Sequence, residues 1–224
     1  MSQSVQPFQF SSHVNAILKE IRTVREVREI CREDGLLEHD MMDFLHYFRC
    51  ELRRLAPEFS SWRSPTVKRY DDHGIASAYL EIAADESWGT AGVAFGLAVR
   101  LDPTAPDPES YAPDQDPYVY VRLPESWSAY PEITRTIKRR KPDGFTDEYP
   151  PGDPEPTVPI WRYLRLDGFT GESGFDTEAF VTAVAKGFAD LLPLQMVIDQ
   201  TIQKHPLQEK QRALPKQATA RRRR

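Results

Sequence analysis

Cysteine is scarce in this chain: among 224 residues only Cys31 and Cys50 are present. Two cysteines outside a Cys-x-x-Cys pair cannot form a disulfide framework, so a disulfide-stapled secreted module is excluded. No stretch approaches the roughly 18 consecutive apolar residues of a membrane-spanning helix, and Met1–Phe10 lacks the basic start and apolar run of a secretory signal. These absences predict a cytoplasmic protein without a membrane span.

The compact motifs of several enzyme classes are also missing. The sequence contains no Gly-x-Ser-x-Gly nucleophile elbow. The stretch Gly89–Gly92 is too short for a phosphate-binding loop and has no lysine. The residues therefore argue against elbow-type hydrolases and P-loop enzymes, and we expect no cofactor.

The net charge of −5 is unevenly distributed. From His205 onward seven Lys or Arg residues stand against the single acid Glu209, so this tail carries +6 and residues 1–204 carry −11. An acidic body argues against nucleic-acid binding through bulk charge. We expect residues 205–224 to form a flexible basic tail, in which Arg221, Arg222, Arg223 and Arg224 supply a non-specific contact to phosphates.

Apolar residues at steps of three and four predict four helices. The first covers His13–Cys31, with Ser11 or Ser12 as its cap. The second runs from about Asp40, its expected cap, to Leu55 before Pro57. A short helix is expected within Trp127–Lys141. A long C-terminal helix begins at the cap Asp176 and is kinked near Pro193.

Between these helices the pattern changes to period two, which predicts strands. The predicted strands are 66–71, 74–83, 92–101, 118–123 and 160–166. Short early links favour an antiparallel five-stranded meander, so we predict one α+β domain over residues 1–204. Ala94, Gly96 and Ala98 leave one strand face nearly bare, where we expect a helix to cross.

Two long connections, Asp102–Pro117 and Pro142–Pro159, are acidic and rich in proline. They flank the strand 118–123 at its opposite ends. Each contains five acids, so together they could imitate phosphates and occupy the nucleic-acid groove of a partner. The alternative is that they are solvated loops. The acids are Asp102, Asp107, Glu109, Asp114 and Asp116 in the first loop, and Asp143, Asp147, Glu148, Asp153 and Glu155 in the second.

Metal-ligating residue types recur along the second helix. His39, Asp43, His46 and Cys50 follow one another at steps of four, three and four. On a helix these steps place them within about 60° of arc. The stripe lies opposite the apolar face, where polar residues belong in any case, so we predict no metal site and keep these four residues as candidates.

Acids near the strand ends raise the possibility of an enzyme whose site is dispersed in the sequence, such as a metal-dependent hydrolase or nuclease. Glu81, Asp85, Glu86 and His73 are the candidate catalytic residues. A two-metal nuclease would also place an acid-x-Lys on the next strand, and residues 92–101 contain neither an acid nor a lysine.

Aromatic residues and arginines alternate on two predicted strands. Tyr118, Tyr120 and Arg122 share one strand face, and Trp161, Tyr163 and Arg165 share another. If the strands pair, these six residues form a binding surface, which could stack on single-stranded bases or be covered by a helix or a partner protein. We therefore predict a non-enzymatic interaction protein or accessory subunit of a larger assembly, with another protein as partner. A dispersed enzyme and an acidic nucleic-acid mimic are the alternatives.

Overall fold

The structure, a computed structural model, describes residues 8–12, 14–15, 36–72, 75–100, 116–148, 157–171 and 174–206. It has the predicted α+β fold: a five-stranded antiparallel sheet with helices, the last of them long and bent. The helices are α1 (Leu36–Leu55), α2 (Glu86–Ala91), α3 (Tyr130–Arg139), α4 (Thr177–Leu191) and α5 (Gln195–Lys204). The strands are β1 (Thr66–Asp72), β2 (Ile75–Ile82), β3 (Ala94–Arg100), β4 (Tyr118–Arg122), β5 (Ile160–Tyr163) and a short ribbon of β6 (Thr170–Gly171) and β7 (Gly174–Phe175).

The large sheet is a meander. Its strands lie in chain order from β1 to β5, and every neighbouring pair is antiparallel. At the β5 edge, Thr146 and Trp161 exchange backbone hydrogen bonds of 2.8 and 3.0 Å. The strand order predicted from the period-two pattern is thereby confirmed.

One face of the sheet packs against α1 and α4. Alternate strand residues such as Leu80, Leu97 and Val121 are fully buried there. Phenylalanine rings join the two helices, since the centroids of Phe44 and Phe180 lie 5.2 Å apart. A fully buried phenylalanine contributes on the order of 2–3 kcal/mol through its apolar surface. The layer between the sheet and these two helices belongs to the large cluster of buried apolar residues and is the main hydrophobic core.

A glycine lets α4 lie close to the sheet. A Cβ on Gly187 would stand 2.8 Å from Cγ2 of Val119 and 2.9 Å from Nη2 of Arg162. The predicted helix crossing at the small residues of β3 is not made by α1 or α4, which lie on the other face, and the side chain of Tyr120 covers Gly96. The residue that permits close packing is therefore on the helix.

Helix α1 begins earlier than predicted. It starts at Leu36, so Asp40 lies within it and does not cap it. The Asp40 carboxylate instead accepts a 2.8 Å hydrogen bond from the backbone N–H of Ser11. Ser11 Oγ accepts from the N–H of Val14 at 3.2 Å, as predicted for the cap of the first helix. Most of that first helix lies outside the described residues.

The C-terminal helix follows the prediction. Asp176 caps α4 by accepting a 2.9 Å hydrogen bond from the N–H of Ala179. A 3-10 turn, Leu192–Leu194, separates α4 from α5, because Pro193 has no amide hydrogen for a continuous helix. Two buried indoles hold α5 in place. The indole N–H of Trp88 donates to the carboxylate of Asp199 at 2.6 Å, and that of Trp127 donates to the backbone carbonyl of His205 at 2.7 Å. The predicted basic tail lies outside the described residues from position 207 onward. This part includes Arg221, Arg222, Arg223 and Arg224.

Among the described residues, one helical segment, 177–204, is long and apolar enough to cross a membrane. Half of its most apolar stretch is buried inside the fold. The core helix of a water-soluble domain has the same length and composition, so this feature is weak evidence for a membrane span. The absence of a span stays a prediction.

Candidate functional site

The sheet face opposite α1 and α4 carries most of the predicted binding residues. Strand pairing sets Tyr118 beside Tyr163 and Tyr120 beside Trp161. Tyr79 of β2 joins them, because it is in register with Ala98, which pairs in turn with Tyr118. These five aromatic residues, Tyr79, Tyr118, Tyr120, Trp161 and Tyr163, are called the aromatic face below.

The aromatic face has a buried centre and a partly exposed margin. Tyr120 and Trp161 are buried together with Ala98 and Val158. The residues at the margin are Tyr79, Tyr118 and Tyr163, which are half-buried. Ring centroids lie 5.8 Å apart for Tyr118 and Tyr163 and 6.3 Å apart for Tyr79 and Tyr120. These separations are typical of edge-to-face aromatic pairs, so the face is a packed cluster.

The small residues of β3 allow a side chain of β4 to contact a side chain of β2 across the strand between them. Because Gly96 has no side chain, the Tyr120 ring lies across its backbone, with Cζ 2.3 Å from the position of a Cβ. The Tyr120 hydroxyl donates to Oε1 of Glu81 at 3.2 Å. Two strands that do not pair with each other are thereby joined by side chains over the intervening strand.

Glu81 is the centre of a group of polar side chains. Arg122 Nε lies 2.5 Å from Oε1 of Glu81, and Nη2 of Arg122 donates to Oε2 at 3.0 Å. Lys68 Nζ donates to the same Oε2 at 3.0 Å. The side chain of Glu81 is 8% exposed, against 30% for Arg122 and 59% for Lys68. Lys68, Glu81, Tyr120 and Arg122 are called the charged cluster below.

The charged cluster has one positive charge in excess at neutral pH, since two cations share one carboxylate. Burial raises the pKa of the Tyr120 phenol well above its ordinary value, and the neighbouring Glu81 carboxylate raises it further. Tyr120 therefore stays a neutral hydrogen-bond donor. A carboxylate with three donors is well satisfied despite its burial.

The candidate catalytic residues have separate roles. Glu81 belongs to the charged cluster. The carboxylate of Asp85 caps α2, accepting from the N–H of Trp88 at 3.1 Å and from the hydroxyl of Ser87 at 2.6 Å. Burial opposes ionisation of Asp85, but these hydrogen bonds outweigh it and lower its pKa. Glu86 is exposed in the first turn of α2, and His73 lies outside the described residues.

The candidate metal ligands lie on the solvent side of α1. His39, Asp43, His46 and Cys50 are all exposed. The imidazole Nε2 of His39 lies 3.5 Å from Oδ2 of Asp43, which makes a single pair. Over the described ranges, no three His, Cys, Asp or Glu side chains lie close enough together to hold a metal ion.

The acidic loops are described only in part. Asp116 is 1% exposed and accepts a 3.0 Å hydrogen bond from the N–H of Leu166, so it ties the start of β4 to the segment after β5. Asp147 pairs with Lys141 and, at 3.8 Å, with Lys138. The hydrogen bond from Lys141 lowers the pKa of Asp147. The other described loop acids, Asp143 and Glu148, are exposed.

The sequence pattern predicted the aromatic residues of β4 and β5. It did not predict two members of the site, and it included one residue that lies outside the strand. Arg165 is exposed beyond the end of β5 and therefore lies outside the strand that carries Trp161 and Tyr163. Lys68 and Tyr79 were missed. The available signal was the period-two alternation of the first hairpin, which puts Lys68 directly across from Tyr79.

No protein-family model, no curated protein and no solved structure matches the chain. The residues of the sheet face are therefore the basis for assigning a function.

Proposed function

We propose that this chain is a non-enzymatic interaction protein, an accessory subunit that docks a partner protein on its aromatic face. The observation that carries the proposal is the partly exposed tyrosine margin around a buried aromatic centre on the sheet face opposite α1 and α4. One face of the sheet is used for the core, and the other presents side chains suited to recognition.

The residue types on this face support the proposal. Tyrosine, tryptophan and arginine are enriched at protein interfaces, where they account for much of the binding energy. Tyr118 and Tyr163 supply large rings that lose little rotamer freedom on binding. Tyr118 packs on Tyr120, with ring centroids 5.6 Å apart, and Tyr163 packs on Tyr118, so both rings are held in place before a partner arrives.

Partner capture with matched variants tests the proposal. The bait is the full chain, compared with Tyr118→Ala and Tyr163→Ala, and with His46→Ala as a control on the exposed side of α1. A captured protein is then purified, and its Kd is measured by calorimetry. We expect each tyrosine variant to weaken binding by roughly tenfold or more, the range of an interface hot spot.

The control variant decides between docking and general damage. His46→Ala is expected to bind with unchanged Kd, and circular dichroism should show that all three variants are folded. Equal affinity for the tyrosine variants and the control would refute docking on the aromatic face.

A further inference from the structure

We infer that the charged cluster binds a carboxylate of the partner protein, an aspartate or glutamate side chain held between Lys68 and Arg122. This inference rests on the proposed function, because it names the partner chemistry at one end of the aromatic face. It assigns to the two cations a role in addition to their pairing with Glu81.

Both cations keep donors that Glu81 does not use. Arg122 donates to Glu81 through Nη2, and its Nε lies 2.5 Å from Oε1, so one edge of the planar guanidinium faces Glu81. The other edge, which includes Nη1, can bind a second carboxylate in the two-pronged geometry typical of arginine. Lys68 has three N–H donors, and its described bond is the one to Glu81.

Charge balance favours an anion at this position. Glu81 neutralises one of the two cations, so a second carboxylate would bring the charged cluster to zero. Glu81 also fixes both cations before binding, which lowers the entropic cost of ordering long side chains. The exposed fractions of Lys68 and Arg122, 59% and 30%, leave them open to a partner approaching from solvent.

A protein carboxylate fits better than nucleic acid. Tyr79 lies in register with Lys68, so an apolar ring is next to the cation. A single carboxylate on a polypeptide needs only one compensating charge, whereas a phosphate backbone needs a basic surface. Residues 1–204 carry a net charge of −11, which repels a polyanion.

Phenylacetate, an aromatic carboxylate, is the probe for a direct test by NMR titration of the full chain. Lys68→Gln is the test variant. Lys186→Gln is its matched control, because Lys186 also shares one carboxylate, Asp190, with an arginine, Arg162, and lies on α4. Both lysines are largely exposed, so both variants should fold.

We expect saturable shifts near the charged cluster, a Kd at least fivefold weaker in Lys68→Gln, and an unchanged Kd in Lys186→Gln. Phenylacetamide, the neutral analogue, should give no saturable shift. Equal Kd values in the two lysine variants, or equal binding of phenylacetate and phenylacetamide, would overturn the inference.

The captured partner separates this inference from the proposed function. If Lys68→Gln and Tyr118→Ala both weaken partner binding, both proposals are supported. If Tyr118→Ala weakens it while Lys68→Gln does not, the carboxylate site is wrong and docking on the aromatic face stands. Saturable binding of a single-stranded oligothymidylate that Lys68→Gln abolishes would show that the cluster takes phosphate and would overturn the carboxylate assignment.

Discussion

The phenol ring of Tyr120 lies across the backbone of Gly96, in the space that any larger residue would fill. A Cβ at Gly96 would meet Cζ of Tyr120 at 2.3 Å and its hydroxyl oxygen at 2.6 Å. This contact allows the hydroxyl to reach Glu81 on the far side of β3. The position of the charged cluster therefore depends on the absence of one methyl group.

Gly96→Ala should destabilise the protein by about 1–3 kcal/mol, because the ring must move and its hydrogen bond to Glu81 is strained or lost. Urea unfolding measures the change. Gly168→Ala is the control, since a Cβ at Gly168 meets no atom within 4 Å. Equal stability of the two variants would show that Tyr120 moves aside without cost.

Removing both partners of the ion pair between Glu81 and Arg122 should cost less than the sum of removing each partner alone. Arg122→Met leaves Glu81 with less compensation in a buried position, so we expect a loss of about 2–4 kcal/mol. In Glu81→Gln/Arg122→Met that buried charge is gone, and the double variant should lose less than the sum of the single variants. Unfolding free energies of the four proteins in the cycle measure this coupling. Additive losses would contradict the ion pair seen here.

Gly187→Ala should lower the stability of the protein, although helix propensity alone predicts an increase. Replacing an interior helical glycine by alanine normally stabilises by roughly 1 kcal/mol. Here the new methyl group would meet Val119 at 2.8 Å, so we expect destabilisation instead. Val119→Ala removes the obstructing methyl groups, and in that background Gly187→Ala should cost less. A stabilising Gly187→Ala in the otherwise unchanged chain would show that α4 can shift away from the sheet.

Period and capping signals predicted most of the architecture, because these elements are determined by local residues. The strands followed the alternation, and α4 began after Asp176, which caps it. The short helix α2 was missed because Asp85 was interpreted as a candidate catalytic acid, although an aspartate before a turn is also an N-cap.

The site was less predictable because it depends on contacts between residues distant in sequence. Tyr120 and Glu81 are 39 positions apart, and their contact requires both the meander register and a glycine between them. The bare face of β3 was visible in the sequence, but sequence alone did not show whether a helix or a tyrosine ring would cover it. The partners of Lys68 and Arg122 follow from the same register.

Tyr120→Phe should reveal the raised pKa of the phenol through the pH dependence of stability. Below about pH 10, the ordinary tyrosine pKa, the phenol is protonated in the folded and unfolded states alike. Its hydrogen bond to Glu81 then stabilises the wild type over Tyr120→Phe by about 1 kcal/mol. Above that pH the unfolded chain releases the proton while buried Tyr120 retains it, so wild-type stability falls with rising pH, by up to about 1.4 kcal/mol per unit for one group.

The stability difference between wild type and Tyr120→Phe should therefore shrink as the pH rises above about 10, since phenylalanine has no proton to lose. Urea unfolding of both proteins at about pH 8 and about pH 11 measures that difference. The phenolate absorbance of one tyrosine, obtained by subtracting the titration of Tyr120→Phe, should appear only when the wild type unfolds. If that phenolate forms near pH 10 in the folded protein, water reaches the ring, and the buried centre assigned to the aromatic face is wrong.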